Sequence, residues 1–425
     1  MLKVAIAGLG TVGAGVARLL RDNAEVIAAR AGRAVVVTAV SARDKKRARP
    51  CDLTGIAWVD DPLKLAAMPD VDVVVELIGG AEGIARHLAQ ATLANGKAYV
   101  TANKALLATH GAELARKAEA ANASLGFEAS VAGGIPVIKT LREGLAANRF
   151  SVVRGILNGT CNYILTRMRV AQLSFADALA EAQKNGYAEA DPAADIDGRD
   201  TANKLAILAA LAFGAEPALK SVQVEGIRRI THDDLLYAEE LDCRIKLLGV
   251  AERGAGGITQ RVGPCLVPLA SPLATIDGVL NAVLLRGDFV GDVLLAGRGA
   301  GAEPTASAVV ADIIDIARGR SVPAFGCTAA LLQKAGVATA TPASRHYIRM
   351  QVMDKPGVVA DISAILRDEA ISIESLIQRG RSVTESVPVV IICHQVPTAV
   401  LHSAVDKIAR VPTVVDQPCV MPIED

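Results

Sequence analysis

Residues 191–204 read DPAADIDGRDTANK. Asp191, Asp195, Asp197 and Asp200 crowd together, and Lys204 follows Asp200 by four residues before the apolar run LAILAALAFG. A lysine and an aspartate at i, i+4 share a helix face and can pair. Upstream, NGYAEADP adds Glu189. Carboxylates beside one lysine suit a substrate with an ammonium group and a reacting oxygen. The acids would bind the ammonium, and the lysine would exchange a proton with the oxygen. For that task the lysine pKa must fall from about 10.4 towards about 7–8. Burial and a second lysine push it down while Asp200 pushes it up, and the sequence leaves that balance open. Capping of the helix by Asp197 or Asp200 accounts for one or two of the acids without catalysis.

Lys104, in VTANKALL, follows the strand-like run KAYVTAN. The ligand crevice of an open α/β sheet lies beyond the carboxyl ends of its strands, which places Lys104 near a bound nicotinamide. Taken alone it would read as a surface lysine at a strand end. A different chemistry attaches to Cys161 in LNGTCNYIL, a nucleophile that would form a thiohemiacetal with an aldehyde. No histidine stands near it in sequence to act as base, and a buried structural thiol is the stronger reading.

The turn GLGTVG (Gly8, Gly10, Thr11, Gly13) follows a strand and opens a helix. In this context G-x-G-x-x-G marks a dinucleotide site, with the pyrophosphate received at the helix N-terminus. An acid usually ends the second strand to hold the ribose of NAD. Here that strand runs into VSARDKKRAR. Ser41 and Arg43 stand at the acid's place, and Lys45, Lys46 and Arg47 follow. Cations suit a 2′-phosphate, so NADP is favoured. Asp44 keeps NAD open, and a solvated basic loop is the alternative for the cations.

The elements that must position these groups are legible in outline. KVAIAGL, AVVVTAVSA, DVDVVVELIGG and KAYVTAN read as strands buried on both faces, hence a parallel sheet covered by helices. VGAGVARLLRDNAEVIAARA reads as one helix. This is a doubly wound, Rossmann-like α/β domain, over residues 1–130 with a returning helix within 303–325. Residues 131–302 read as an α+β substrate domain. Its expected strands are RFSVVRGIL, ALKSVQVEGI and LLRGDFVGDVLLAG, and its expected helices are SFADALAEAQKNGY and DDLLYAEELDCRIKLLGVA. Residues 326–345 read as a linker. Residues 346–425 have the order βαββαβ, a ferredoxin-like unit.

Length, 425 residues, suggests several domains. Acidic and basic residues balance at 45 each, which argues against a nucleic-acid partner. Seven scattered cysteines without a CxxC pattern read as reduced thiols of a cytoplasmic protein. No apolar run is long enough to span a membrane, and the six histidines show no zinc-like pairing.

At AQKNGYAEADPAADIDGRDTANK (182–204) the chain resembles the homoserine dehydrogenase family. VVVELIGG, VTANKALL, FEASVAGGIP, GILNGTCNYIL and GRGAGAEPTASAVVADI look like further family blocks in family order. The resemblance implies NAD(P)H-dependent reduction of L-aspartate 4-semialdehyde to L-homoserine, on the route to threonine, methionine and isoleucine. It implies Lys204 as proton donor and Lys104 as its partner beside cofactor and substrate. Glu189 and Asp200 would hold homoserine, with Asp195, Tyr187 and Thr160 lining the pocket. Val12, Gly13, Thr101, Gly186 and Gly301 would touch the cofactor. Glu128, Val131, Gly133 and Ile135 would hold a monovalent cation, commonly Na⁺, largely through main-chain oxygens. The tail resembles an ACT domain, with DKPGVVADISAIL carrying the turn where such domains bind amino acids and L-threonine as the natural effector. Its deletion should abolish inhibition and spare activity unless the tail is needed for assembly. A homodimer or homotetramer is expected. With no kinase-length segment before residue 1, a monofunctional enzyme is expected. The competing expectations are a non-catalytic sensor of nucleotide and amino acid on the same scaffold, and the Cys161 enzyme.

Overall fold

A computed structural model describes residues 1–254, 256–334, 336, 343–379 and 385–424. The first region runs β1 (Leu2–Ala7), α1 (Thr11–Asp22), α2 (Ala24–Ala31), β2 (Val35–Ser41), β3 (Ala57–Trp58), β4 (Val73–Glu76), α3 (Ile84–Ala94), β5 (Ala98–Thr101), α4 (Lys104–Ala120) and β6 (Leu125–Gly126). The six strands pair in parallel in the order β3-β2-β1-β4-β5-β6. β4 and β5 are buried along their whole length, as strands covered by helices on both faces must be. The order reverses between β1 and β4, and there the ligand crevice opens. β3 and β6, two residues each, are too short for periodicity to reveal. The single helix expected over 12–31 breaks at Asn23, which ends α1 and starts α2.

The chain continues through α5 (Val137–Lys139), β7 (Phe150–Ile156), α6 (Gly159–Val170), α7 (Phe175–Lys184), α8 (Ala193–Ile196), α9 (Arg199–Phe213), β8 (Gln223–Val224), α10 (His232–Glu240), β9 (Cys243–Gly254), β10 (Gly257–Pro268), β11 (Leu280–Gly287), β12 (Gly291–Arg298) and α11 (Ala302–Ala317). α11 returns to the first sheet: Ala306, Val309 and Ile313 share a core with Ile6 and Val16. Three expectations are corrected. The helix read from DDLLYAEELDCRIKLLGVA stops at Glu240, and the rest is β9, paired in antiparallel with β10. Of ALKSVQVEGI only Gln223–Val224 is strand, because Leu219–Ser221 forms a 3₁₀ turn. LLRGDFVGDVLLAG is a hairpin, with β11 and β12 on either side of 288–290.

The tail runs β13 (Ala343–Met353), α12 (Val358–Asp368), β14 (Ile373–Gln378), β15 (Ser386–Pro397), α13 (Thr398–Ile408) and β16 (Cys419–Ile423). The ferredoxin-like order is present, with a core of its own that includes Ile348, Val389 and Leu401, and the tail also continues the second sheet. β16 pairs with β10 through Leu266–Ile423, so the second sheet continues from β12 through β10 into β16-β13-β15-β14. Tyr347, Met421 and Ile423 enter the core that holds Ile196, Leu235 and Leu266. Of the linker read over 326–345, residues 335 and 337–342 lie outside the described residues. Its first part docks on α4, where the Ala329 N–H donates to Glu119 (2.9 Å).

A polar anchor crosses the same seam. Asp234, at the start of α10, is fully buried. Its Oδ1 accepts from Tyr347 Oη (2.9 Å) and Arg349 Nε (2.7 Å), and its Oδ2 accepts from the Thr231 N–H and hydroxyl (both 2.8 Å). Asp234→Ala leaves the buried Arg349 guanidinium with the more distant Asp416 carboxylate (3.8 Å). We expect a loss of about 3–5 kcal/mol, read as a fall in the urea midpoint. Deletion of 345–425 is expected to yield aggregated protein rather than a desensitised enzyme, because it bares the shared core and part of the β10 edge; a soluble, folded truncation in size-exclusion and circular-dichroism measurements would contradict this.

Candidate active site

The glycine turn links β1 to α1 at the point where strand order reverses. Gly8 has φ +103°, and a Cβ there would lie 2.6 Å from the Leu77 carbonyl oxygen after β4. A Cβ on Gly13 would lie 2.0 Å from the Gly8 carbonyl oxygen, whereas a Cβ on Gly10 would meet nothing within 4 Å. Two glycines therefore close the turn and the middle one leaves room above it. Gly10 caps α1 with no side-chain bond, so the first-turn N–H groups, including those of Thr11, Val12 and Gly13, are available to a phosphate. The arrangement fits a dinucleotide. A pocket of about 160 Å³ beside the turn is bordered by Gly10, Thr11, Arg18, Arg47 and Arg49. Arg49 donates to the carbonyls of Leu9, Arg47 and Asp44, folding the basic loop against the turn. Arg43 is exposed on that loop.

The lysine–aspartate cluster is built on α9 and α4. Gly198 caps α9, so neither Asp197 nor Asp200 is the cap. Asp200 lies in the first turn and Lys204 one turn later, both buried. Lys204 Nζ donates to Asp200 Oδ2 (2.8 Å) and to the Leu157 carbonyl (2.7 Å). Lys104 opens α4 at the end of β5, and its Nζ is 2.6 Å from Asp200 Oδ1. One carboxylate thus sits between two ammonium groups. Burial alone would raise the Asp200 carboxyl, but Lys204 and Lys104 outweigh it and hold it well below the usual range. Burial, reinforced by Lys104, lowers the Lys204 pKa against the pull of Asp200 and Asp195. Lys104, 43% exposed at its side chain, goes the other way: burial lowers its pKa less than Asp200, Asp195 and Glu189 together raise it. The balance that the sequence left open falls towards a weakly held proton on Lys204.

Of the four clustered acids, Asp195 and Asp200 reach this site. Asp191 accepts from the Ala193 N–H (3.1 Å) at the start of α8, and Asp197 pairs with Arg228. Asn158 was not anticipated. Its Nδ2 donates to Asp195 Oδ1 (2.8 Å) and Asp200 Oδ2 (2.9 Å), while its Oδ1 caps α6 by accepting from the Cys161 N–H (2.8 Å). The signal available was an asparagine before Gly159 at a strand-to-helix junction, which reads only as a cap. Glu76 was also missed. Buried at the end of β4, it accepts from the Ile78 and Gly79 N–H groups (2.6 and 2.8 Å) and from the Thr101 hydroxyl (2.7 Å). That last bond occupies the Thr101 side chain in shaping the turn above the crevice.

Thr160 donates to the Tyr187 carbonyl (2.6 Å), and the Tyr187 ring lies 4.9 Å from that of Tyr163. Gly186 and Glu189 are exposed beside them. Gly301 caps α11. Among the cation candidates, the Glu128 carboxylate accepts from the Ile138 and Lys139 N–H groups (2.9 and 2.8 Å), and the Ile135 carbonyl accepts from the Val137 N–H (2.8 Å). Val131 is buried, and the Gly134 N–H after Gly133 bonds the Arg298 carbonyl (3.1 Å) near Gly301. Cys161 is fully buried, its Sγ donates to the Asp195 carbonyl (3.3 Å), and burial with Asp195 and Asp200 raises its thiol pKa well above the ordinary value. That environment opposes a thiolate nucleophile.

Two outcomes follow. Cys161→Ser, which keeps the donor to Asp195, should retain turnover; an inactive but folded variant would reinstate the thiol. Gly13→Ala should abolish binding of a reduced pyridine nucleotide in a fluorescence titration, because its Cβ drives into the Gly8 carbonyl.

Comparison with known proteins bears on the whole chain. The homoserine dehydrogenase NAD-binding family model matches residues 8–128, the homoserine dehydrogenase model 136–314 and the ACT model 346–413. Homoserine dehydrogenase of Neisseria gonorrhoeae is 47% identical over 414 residues, covering 96% of this chain and 95% of that protein. The structure of homoserine dehydrogenase from Thiobacillus denitrificans superposes with a TM-score of 0.93 at 43% identity, covering 100% of this chain and 98% of the other. A hyperthermophilic archaeal homoserine dehydrogenase in complex with NADPH gives a TM-score of 0.65 at 26% identity, over 76% of this chain and 99% of the other. Matched by three family models along its length and by relatives of this identity and coverage, this chain belongs to the homoserine dehydrogenase family.

Proposed function

We propose that, in the reduction of L-aspartate 4-semialdehyde to L-homoserine, Lys204 is the proton donor and Lys104 its electrostatic partner. The carrying observation is the Asp200 carboxylate held between their Nζ atoms at 2.8 and 2.6 Å. A nicotinamide cofactor supplies the hydride when bound. The aldehyde carbon gains the hydride and its oxygen gains the proton of Lys204. The Leu157 carbonyl and Asp200 fix Nζ in place, and burial makes its proton easier to release. Lys104 adds positive charge where the oxygen becomes anionic. The substrate ammonium goes to Glu189 and Asp200, with Asp195, Tyr187 and Thr160 around it.

The fold and the NADPH-bound relative support a pyridine nucleotide, and Arg43 with the loop held by Arg49 supports NADP over NAD. A monovalent cation such as Na⁺ at Glu128, Val131, Gly133 and Ile135 would meet the oxygen donors that hard cations prefer. The buried Asp312 carboxylate also reaches this segment, accepting from the Glu128 N–H (2.8 Å), and the cation's role would be structural. The ACT tail supports feedback by L-threonine. Exposed Leu280, Phe289, Val290 and Leu294 on the β11–β12 hairpin support a homodimer or homotetramer. No described helix is long and apolar enough to cross a membrane, and we place the enzyme in the cytoplasm.

Turnover of homoserine with NADP⁺ tests the roles directly. Lys204→Ala should lower kcat by roughly a hundredfold to ten-thousandfold, with homoserine and NADPH still bound. Reduction needs Lys204 protonated, so its rate should fall as pH rises through the Lys204 pKa; oxidation needs it neutral and should rise over the same interval. Because the pKa is lowered, both changes should fall below the ordinary lysine range. Matching pH profiles in wild type and Lys204→Ala would remove the assignment. Arg43→Ala should raise KM for NADP⁺ and leave that for NAD⁺ unchanged.

A further inference from the structure

Asn158 ties two acids of the candidate site to the end of β7. That strand pairs with β9 on one side and β11 on the other, so the sheet fixes the Asn158 backbone. The junction with α6 is tightly packed: a Cβ on Gly159 would lie 2.8 Å from the Val279 carbonyl oxygen. Asn158 Oδ1 accepts from the Cys161 N–H (2.8 Å), which sets the way the amide faces. Its Nδ2 then has two N–H bonds to give. One goes to Asp195 Oδ1 (2.8 Å) and the other to Asp200 Oδ2 (2.9 Å). The carbonyl of the preceding residue, Leu157, accepts from Lys204 Nζ (2.7 Å).

Three donors thus converge on the Asp200 carboxylate. Oδ2 accepts from Lys204 (2.8 Å) and from Asn158, and Oδ1 lies 2.6 Å from Lys104 Nζ. A carboxylate free to turn about its last bond could give both oxygens to one lysine. The amide, fixed to the sheet, holds it so that each lysine has its own oxygen. The same amide separates two like charges. Burial raises the Asp195 pKa and Asp200 adds to the rise, while Asn158, ahead of Lys204 and Lys104, opposes it. A neutral amide does this without changing the charge of the cluster, whereas a carboxylate in its place would hold the Lys204 proton more tightly. The charged groups facing Lys204 are Asp200 on α9 itself, Lys104 on α4 and Asp195 on α8, with the Cys161 thiol of α6 in range; Glu189 acts on Lys104. Lys246 of β9 turns instead to Asp277, and Arg154 of β7 and Arg261 of β10 turn to Glu424.

We propose that Asn158 is a positioning residue of the reaction: its amide fixes the Asp195 and Asp200 carboxylates against each other, so that Asp200 meets both lysines and Asp195 stays beside it in the substrate pocket. This rests on the assignment of Lys204 as proton donor, and Asn158 acts on that step through the acids. Capping of α6 alone needs only Oδ1. The two roles use opposite ends of one amide, so substitution can separate them.

Serine and aspartate both cap helices well. Asn158→Ser and Asn158→Asp therefore keep an acceptor for the Cys161 N–H and remove the donors to the acids. Asn158→Asp also puts a carboxylate on the far side of Asp200 Oδ2 from Lys204. The test is steady-state oxidation of homoserine by NADP⁺ with the full-length protein, followed from neutral to alkaline pH. Asn158→Ser should lower kcat/KM for homoserine by roughly tenfold to hundredfold, with KM for NADP⁺ unchanged. In Asn158→Asp the rising limb, which needs Lys204 neutral, should move to higher pH by roughly one unit or more. Wild-type kcat/KM in Asn158→Ser would overturn the proposal, because a cap is all that variant retains. An unmoved limb in folded Asn158→Asp would also overturn it, as would equal losses towards homoserine and NADP⁺, the mark of general damage. Lys204→Ala measured alongside keeps the two readings apart. If the wild-type limb persists there, the Lys204 assignment falls; if it disappears there and stays unmoved in the Asn158 variants, the role of Asn158 alone falls.

Discussion

One carboxylate, that of Asp200, holds the two buried-site lysines together. Two ammonium groups placed side by side repel, and a buried lysine without a counter-charge gives up its proton altogether. Asp200 bonds both, so Lys104 and Lys204 can share one place while only Lys204 is driven towards release. The difference between them is one of solvent: the Lys204 side chain is 9% exposed and that of Lys104 is 43%. The requirement reaches through the fold. α9 sets Asp200 and Lys204 one turn apart, the first sheet delivers Lys104 at the end of β5, and the β7–α6 junction supplies Asn158 and the Leu157 carbonyl. Three separate stretches of chain meet at two oxygens.

What was legible in the sequence divides along the range of the interactions. The i, i+4 relation of Asp200 and Lys204 and the glycine turn are local, and their consequences could be read from spacing. The parallel sheet was visible because its strands are apolar runs. Asn158 and Glu76 were not visible, since their importance comes from which acids or amides approach them after folding. The same limit explains the misreadings around 233–251 and 284–297. CRIKLLGVA is compatible with a helix until β10 is beside it, and only the turn at 288–290 separates two strands that look continuous.

The tail shows the limit most plainly. Its βαββαβ order is a local property, and it was legible. Its attachment depends on Leu266–Ile423, on Tyr347 and Met421 entering a distant core, and on Asp234 facing Arg349. None of these pairs is close in sequence. A ferredoxin-like unit read alone therefore looks like a detachable sensor, whereas its last strand here pairs with the edge of β10 and its first strand follows beside it.

The strength of that closure is uneven. β9 and β10 pair over twelve residues each, and Asp234 with Arg349 and Tyr347 fixes the tail at one point. Between these firm elements, β8 contributes only Gln223 and Val224, and β16 meets β10 at one residue pair. Few hydrogen bonds hold a short strand, and local opening costs least where such bonds are few. The shortest pairing beside the seam thus lies against Ile196, next to Asp195. The tail's last strand joins the same sheet that holds β7, and β7 runs into Asn158, so its attachment bears on the sheet that positions the Asp195–Asp200 hydrogen bonds rather than on the sheet that carries the glycine turn.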